Sequence, residues 1–457
     1  MCASHALRPG APGATHDLIG RPYDPSLVTV EPMPPSAPSS LAWAGAGRSL
    51  LRDPTGYLQE LRARLGDTFV LDAFGYRLLF VFSPAGVHAL YGFDERDASF
   101  MLATFSLLRL KLPDRLFLER RSSPHALFGS QDAERYLDNL RAALELELDE
   151  LGSGGTFEVF TEAKRIAHRL GFASWVCQEA TEAERLERLL GPFEELDAAE
   201  SFVRPAVAFR TLRTGHRREW QALATIEEVI AEIWAERRRH GVRRDDMLER
   251  AVAAFAADHD PDDAVRQAAR DLVVIHLGSQ SNLYAGLAWT IVDVLRHPEI
   301  LAAVRAGDDR LLERCASESI RMAQRSLTLR YVTRPVDLPL EDQTYRVGRG
   351  AFLATMLSVT NATADPALSR YDPAHFEGRR LTVPLPAKEL VSTFGHGPHT
   401  CPAARFSILA IRLTVRRLLA RYELTPLYDE AEPKRRQLGG VARSERPCVL
   451  RYAARPH

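Results

Sequence analysis

The alternation of apolar and polar positions divides the chain into stretches of different character. Residues 1 to about 45 carry no sustained apolar pattern and are rich in Pro, Ala, Gly and Ser, as in Pro34-Pro35-Ser36-Ala37-Pro38. Such a stretch buries too little to fold alone. It is expected to be a tail over 1–45, lying along a single domain over 46–457. Regular structure is predicted from Asp53-Pro54-Thr55, where a capping residue precedes a helix through Leu61. Two runs rich in β-branched and aromatic residues follow, Thr68–Leu71 and Arg77–Phe82. A turn containing Gly75 separates them, which predicts a hairpin. From Ala85 to about Arg325 the pattern is mainly helical, punctuated by Pro and Gly. Within it, Asp262 to Arg296 reads as one long helix, opened by Pro261-Asp262 and stopped by His297-Pro298. After Ser326 the character changes to strand-like pieces, Leu327–Thr333, Leu338–Leu340 and Tyr345–Val347, then a loop-rich stretch up to Thr400. A last amphipathic helix is predicted from about Pro402 to Tyr422, and a strand-like run from Cys448 to Tyr452 ends the chain. The fold class is therefore mainly α with a smaller β part.

Composition narrows the function classes. The 457 residues are 46% hydrophobic and 26% charged, with a net charge of −1. That is the make-up of an ordinary globular protein with a core large enough to enclose a bulky cofactor. Near-neutral charge gives no reason to expect nucleic acid or an anionic membrane as partner. The five cysteines, Cys2, Cys177, Cys315, Cys401 and Cys448, are scattered and include no CxxC pair. This argues for a reducing compartment and against a disulfide framework or a zinc site. No apolar run approaches the ~18–20 residues of a membrane span, and Met1 to Gly20 lacks a signal-peptide pattern. A cytoplasmic protein without a membrane anchor is expected.

The chemistry gathers at Phe394-Gly395-His396-Gly397-Pro398-His399-Thr400-Cys401-Pro402-Ala403. Glycines permit positive φ and close backbone approach, and a proline suits the first helical turn because its missing N–H is not needed there. The segment reads as a glycine-rich turn that delivers one cysteine to a helix start. The helix dipole and its free N–H groups there favour a thiolate, so a lowered pKa is expected. One cysteine without a nearby pair of histidines does not suit zinc. It does suit a single axial bond to haem iron, where the porphyrin supplies four others. A lone cysteine is ordinarily a small buried apolar side chain, and that reading is kept for Cys177, Cys315 and Cys448.

On these residues the chain resembles the cytochrome P450 family, whose haem-binding signature is Phe-x-x-Gly-x-x-x-Cys-x-Gly/Ala. Phe394, Gly397, Cys401 and Ala403 match it. The resemblance implies a triangular helical body with small β-sheets. Haem b would lie between a long helix I and the Cys401-bearing helix L. It also implies haem-propionate contacts at His399 and Arg330. Glu318-Ser319-Ile320-Arg321 matches the family's Glu-x-x-Arg, with both side chains on one helical face. The family's downstream Pro-Glu-Arg-Phe segment is matched by Asp372-Pro373-Ala374-His375-Phe376, so His375 stands where an arginine is usual. It cannot supply the guanidinium fork.

The long helix matches helix I. Its signature, Ala/Gly-Gly-x-Asp/Glu-Thr, falls on Gly278-Ser279-Gln280-Ser281-Asn282. Ser281 replaces the acid and Asn282 the threonine to which the family assigns proton delivery. Gln280, Ser281 and Asn282 are therefore the candidate catalytic residues. Ser-Gln-x-Asn followed by Trp289 is similar to the branch containing cholesterol 7α-hydroxylase, sterol 12α-hydroxylase and prostacyclin synthase. Ser326-Leu327-Thr328-Leu329-Arg330 and Gln437-Leu438-Gly439-Gly440 read likewise.

Phe100 to Leu118, and Phe202 to Val207, are expected near the substrate pocket. Both are largely apolar with isolated arginines, which suits a hydrophobic small molecule with a polar end. Arg405, Arg412, Arg416 and Arg417 on the last helix would attract an acidic ferredoxin or flavodoxin if exposed. The resemblance thus implies a monomeric monooxygenase of secondary or lipid- and sterol-like metabolism, fed by such a partner and its reductase. A non-oxygen-activating isomerase or dehydratase, acting on a peroxide or other activated substrate, is the alternative. A haem-binding sensor is a third reading, and no appended partner domain supports it.

Overall fold

The computed structural model describes residues 29–39, 44–118, 132–197, 205–377 and 380–456. Helices dominate: α1 (Pro54–Leu65), α2 (Pro84–Gly92), α3 (Phe100–Leu108), α4 (Asp132–Leu151), α5 (Val159–Trp175), α6 (Ala183–Leu196), α7 (Pro205–Arg213), α8 (Arg217–Arg239), α9 (Met247–Phe255), α10 (Pro261–Arg296), α11 (Pro298–Arg305), α12 (Asp309–Ala323), α13 (Leu357–Thr363) and α14 (Ala404–Arg421). The strands are β1 (Val30–Glu31), β2 (Thr68–Ala73), β3 (Tyr76–Val81), β4 (Ala98–Ser99), β5 (Gly154–Glu158), β6 (Leu327–Val332), β7 (Val336–Pro339), β8 (Thr344–Val347), β9 (Phe352–Met356), β10 (Phe376–Glu377), β11 (Arg380–Leu381), β12 (Tyr422–Pro426) and β13 (Val449–Ala454).

The largest sheet has the order β2-β3-β9-β6-β4. Its β2–β3 hairpin turns through Phe74 and Gly75, both at positive φ, 51° and 81°. That is the two-residue turn whose twist suits flanking strands. Strand β9 joins β3 in parallel and β6 antiparallel, with Arg330 opposite Leu353. A second sheet, β1-β8-β7, ties Val30 to Val347. A third, β12-β13-β5, clamps the C-terminus to the entrance of α5.

The organising element is α10. Asp260 caps it, accepting from the amides of Asp262 and Asp263, and Pro261 occupies its first turn. It packs against α5, α8, α9, α12 and α14. Its second half, Leu283 to Val294, is buried all round, which is the pattern of a helix running through a core. Two large apolar clusters meet along it, one with α5, α12 and α14, the other with α6, α8 and α9.

Several pieces differ from the sequence expectation. β5 lies inside the helical stretch, and its opening Gly154-Gly155 masked it. β9 and α13 lie in what reads as loop. β1 falls in the stretch read as a tail, where pairing with β8 and burial of Val30 hold the chain. Cys401 precedes α14 by three residues instead of opening it. Among the described residues no helix is long and apolar enough to cross a membrane, and no group of three His, Cys, Asp or Glu could hold a metal ion.

Candidate active site

A cavity lies under α10, and Cys401 lines it. The loop delivering Cys401 closes on itself. The Cys401 amide donates to the Phe394 carbonyl at 2.7 Å and the Thr400 amide to that of Gly397 at 3.2 Å. Gly395 and Gly397 both take positive φ, 79° and 61°. A Cβ on Gly395 would stand 2.7 Å from the His399 carbonyl oxygen, so the turn admits no side chain there. Phe394 and Ala403 line the cavity beside the cysteine.

The thiol itself corrects the expected lowering of its pKa. Burial pushes the Cys401 thiol up, and the Ala403 amide only partly opposes this. The sulfur lies outside the first helical turn, in mostly apolar surroundings, so the protein alone does not ionise it. A cation bound at the sulfur does so directly.

One wall carries charge. Arg330 on β6 is 1% exposed and donates to the carbonyls of Tyr91, Phe93 and Ala98 at 2.9, 3.0 and 2.8 Å. The Glu95 carboxylate is 3.7 Å away. Burial draws the Arg330 guanidinium below its ordinary value, with Glu95 opposing. His399 Nε2 stands 3.3 Å from Glu95, and its ring lies 4.7 Å from that of Phe100. Burial raises the Glu95 carboxyl, but hydrogen bonds from His399, Ser99 and the amides of Met101 and Phe100 outweigh it and hold it at about 2. A buried guanidinium at the rim, a thiol in the cavity and apolar walls between them suit a planar apolar cofactor with carboxylate arms and a metal that takes sulfur. Haem fits these residues.

The roof is one face of α10: Gly278, Ser279, Asn282 and Leu283. Of the three candidate catalytic residues, the fold brings Asn282 alone to the cavity. Ser281 does not line it. Gln280 is 1% exposed and faces α5, where a Cβ on Gly171 would meet its Nε2 at 2.4 Å. Its Nε2 reaches only Ser279 Oγ, at 3.0 Å. Asn282 Oδ1 accepts from the Val441 amide at 2.8 Å. Val441, Tyr91 and Glu95 were not singled out in the sequence, and Ser279 entered only as part of the Ser-Gln-x-Asn run. Only Ser279 had a signal, its spacing of three from Asn282.

Behind the cavity, Glu318 and Arg321 form a bidentate pair at 2.7 and 2.6 Å with both side chains fully buried. Arg321 also donates to the carbonyls of Asn361, Leu368 and Arg370. His375 Nδ1 lies 3.0 Å from Glu318 Oε1. Within Phe100–Leu118, Phe100 lines the cavity, while Phe202, Val203 and Arg204 lie outside the described residues. On α14, Arg412, Arg416 and Arg417 bind Glu313, Asp309 and Glu145. Their charge is met within the chain, and Arg405 is left exposed.

No family model matches the chain. Individual proteins do. Human 24-hydroxycholesterol 7-alpha-hydroxylase is 19% identical over 473 residues, covering 92% of this chain and 94% of its own. Cytochrome P450 135B1 of Mycobacterium tuberculosis is 25% identical over 412 residues, 84% of each chain. Cytochrome P450 7B1 of Mus musculus is 20% identical over 441 residues, 86% of this chain and 84% of its own. Over most of its length the chain is thus similar to members of the cytochrome P450 family, which carry haem iron as cofactor.

Proposed function

We propose that the chain is a cytoplasmic monooxygenase that oxidises a largely hydrophobic small molecule of lipid, sterol-like or secondary metabolism. Electrons would come from a ferredoxin or flavodoxin and its reductase. The observation that carries this reading is the cavity, with a single cysteine in its wall and a lining that mixes apolar side chains with polar groups such as Ser279, Asn282 and Arg330. The likeness to a 24-hydroxycholesterol 7-alpha-hydroxylase favours a sterol-like substrate.

Bound haem supplies the oxygen chemistry, with the thiolate pushing electron density toward it. Cys401 would hold its iron through the sulfur. The closed Phe394–Cys401 turn holds it in place, and the Ala403 amide tempers its charge. Arg330 and His399 are the groups suited to the propionates. Leu283, Leu327 and Ile411 make parts of the cavity wall apolar. Ser279 and Asn282 are the polar side chains of α10 that face the cavity, and they would hold a water or a substrate oxygen there.

A second reading, an isomerase or dehydratase that needs neither O2 nor electrons, is favoured by one observation. No carboxyl and no threonine stands on the cavity face of α10. Turnover with a supplied ferredoxin system decides between the two. Product that requires both O2 and NADPH supports the monooxygenase, and product formed without either refutes it.

A further inference from the structure

The far end of the chain reaches back to the roof of the cavity. The Val441 amide donates to Asn282 Oδ1 at 2.8 Å. A main-chain N–H can be accepted only by the carboxamide oxygen, so this bond decides which way the side chain faces. The oxygen is turned to Val441, and the NH2 group is left on the cavity side. Asn282 lines the cavity, and among the described residues its Nδ2 has no hydrogen-bond acceptor.

The turn that makes this contact is itself held from several sides. The Gly439 amide donates to the Arg325 carbonyl at 2.9 Å, and the Arg325 amide to that of Gly440 at 2.7 Å. The Gly440 amide donates to Ser326 Oγ at 3.1 Å. Gln437 Nε2 bonds the carbonyls of Gly439 and Val441, and Trp289, two turns along α10 from Asn282, bonds that of Ala442. Gly440 has φ of 61°, and a Cβ there would stand 2.7 Å from Asn282 Oδ1. A side chain at this position is therefore strained by the backbone conformation and would push the Asn282 carboxamide from its place.

We propose that the Gly439–Val441 turn is a positioning element of the active site. It fixes the Asn282 NH2 as a donor into the cavity, so that the site takes hydrophobic substrates bearing an acceptor oxygen, such as a carbonyl, hydroxyl or peroxide oxygen, at that point. The proposal deepens the oxidative reading above and rests on it for the identity of the occupant as substrate. A donor left without a partner in an apolar cavity is unfavourable. A site built around such a donor discriminates against molecules lacking the matching group.

The test is ligand binding to the haem-loaded protein, with 2-adamantanone and adamantane as a matched pair, read from displacement of the haem water in the absorption spectrum. It needs no O2, reductant or product, so its failure is distinct from failure of the monooxygenase reading. The ketone should bind wild type about threefold to tenfold more tightly than the hydrocarbon, the range of one neutral hydrogen bond. Asn282→Leu should remove the preference by weakening ketone binding relative to adamantane. Asn282→Asp keeps an acceptor for Val441 and replaces the donor by an oxygen, so it should reverse the preference and keep the Val441 amide protected from hydrogen exchange. Gly440→Ala should lose the preference with Asn282 still present. Equal responses to the two ligands in wild type, including no response to either, overturn the proposal. So does a ketone preference that survives Asn282→Leu, or an equal weakening of both ligands by Gly440→Ala.

Discussion

Arg321→Ala is the perturbation whose consequence follows most directly from the structure. In the folded protein Glu318 is fully buried and accepts four hydrogen bonds: two from Arg321 at 2.6 and 2.7 Å, one from the Asp372 amide at 3.0 Å and one from His375 at 3.0 Å. Removing Arg321 leaves a buried carboxylate with only the amide and the imidazole. It also frees the carbonyls of Asn361 and Leu368, which Arg321 Nη1 holds at 2.6 and 2.9 Å. Breaking a buried pair from one side costs about 3–5 kcal/mol. Unfolding entropy of about 2.1 cal/mol/K per residue gives roughly 0.9 kcal/mol/K for a chain of this size. The melting temperature should then fall by about 3–6 °C, and haem retention should fall with it, since α12 packs directly against α10 and α14. His375→Ala removes only a hydrogen bond to a charged group, worth about 1.5–3 kcal/mol, and should shift melting by less than Arg321→Ala does. Calorimetric melts and haem-to-protein ratios of the purified variants measure both. An Arg321→Ala variant with wild-type melting and full haem would refute the argument, as would a His375→Ala variant that is the more damaged of the two.

Cys401→Ser should lose the red-shifted absorption band of the reduced carbon monoxide complex, while Cys177→Ser and Cys315→Ser, both deep in apolar clusters, should keep it; a normal band from Cys401→Ser would end the thiolate assignment. Asp293 is pushed up to about 6, chiefly by burial. A carboxyl raised in the fold stabilises below its unfolded value of 3.8 and loses that contribution as pH rises through about 6. Asp293→Asn should therefore gain on wild type by about 2 kcal/mol between pH 4 and pH 7, and melts that keep a constant gap across that range would contradict it. His168 is held at about 3 by burial and then by Lys164, so its contribution is present above 6.5 and lost as pH falls toward 3. His168→Gln should flatten the acid loss of stability below pH 6.5, and an unchanged slope would count against it.

The long helix, the hairpin, the cysteine turn and the Glu318–Arg321 spacing were all legible because each is a local pattern. Proline and aspartate mark the start of α10, two glycines mark the cysteine turn, and a spacing of three puts Glu318 and Arg321 on one face. The strands β5 and β9 were not legible. Gly154-Gly155 has no strand propensity of its own and is held by pairing with Tyr452 and Ala453, which lie at the other end of the chain. β9 is buried on both faces between β3 and β6, so it shows no alternation to read. Nor could charge on α14 be judged from sequence. Arg412, Arg416 and Arg417 look like a free basic face until α12 and α4 bring Glu313, Asp309 and Glu145 against them.

The rotation of α10 about its axis was the least legible feature, and it matters most for the site. Sequence shows that Gln280, Ser281 and Asn282 are helical, but at about 100° per residue they point in three directions, and only a neighbour can say which direction is inward. That neighbour is α5. Gly171 lets the two helices approach so closely that His276 and Gln280 fill the space a side chain would take. His276 then stacks on Phe172 with ring centroids 4.4 Å apart and meets His168 at 2.9 Å. One turn further, Tyr284 on the same face bonds Arg443. These contacts commit positions 276 and 280 to the α5 side. Gly278, Ser279 and Asn282 are thereby turned to the cavity, so a glycine on α5, far from the haem signature in sequence, decides which polar group on α10 can meet a substrate.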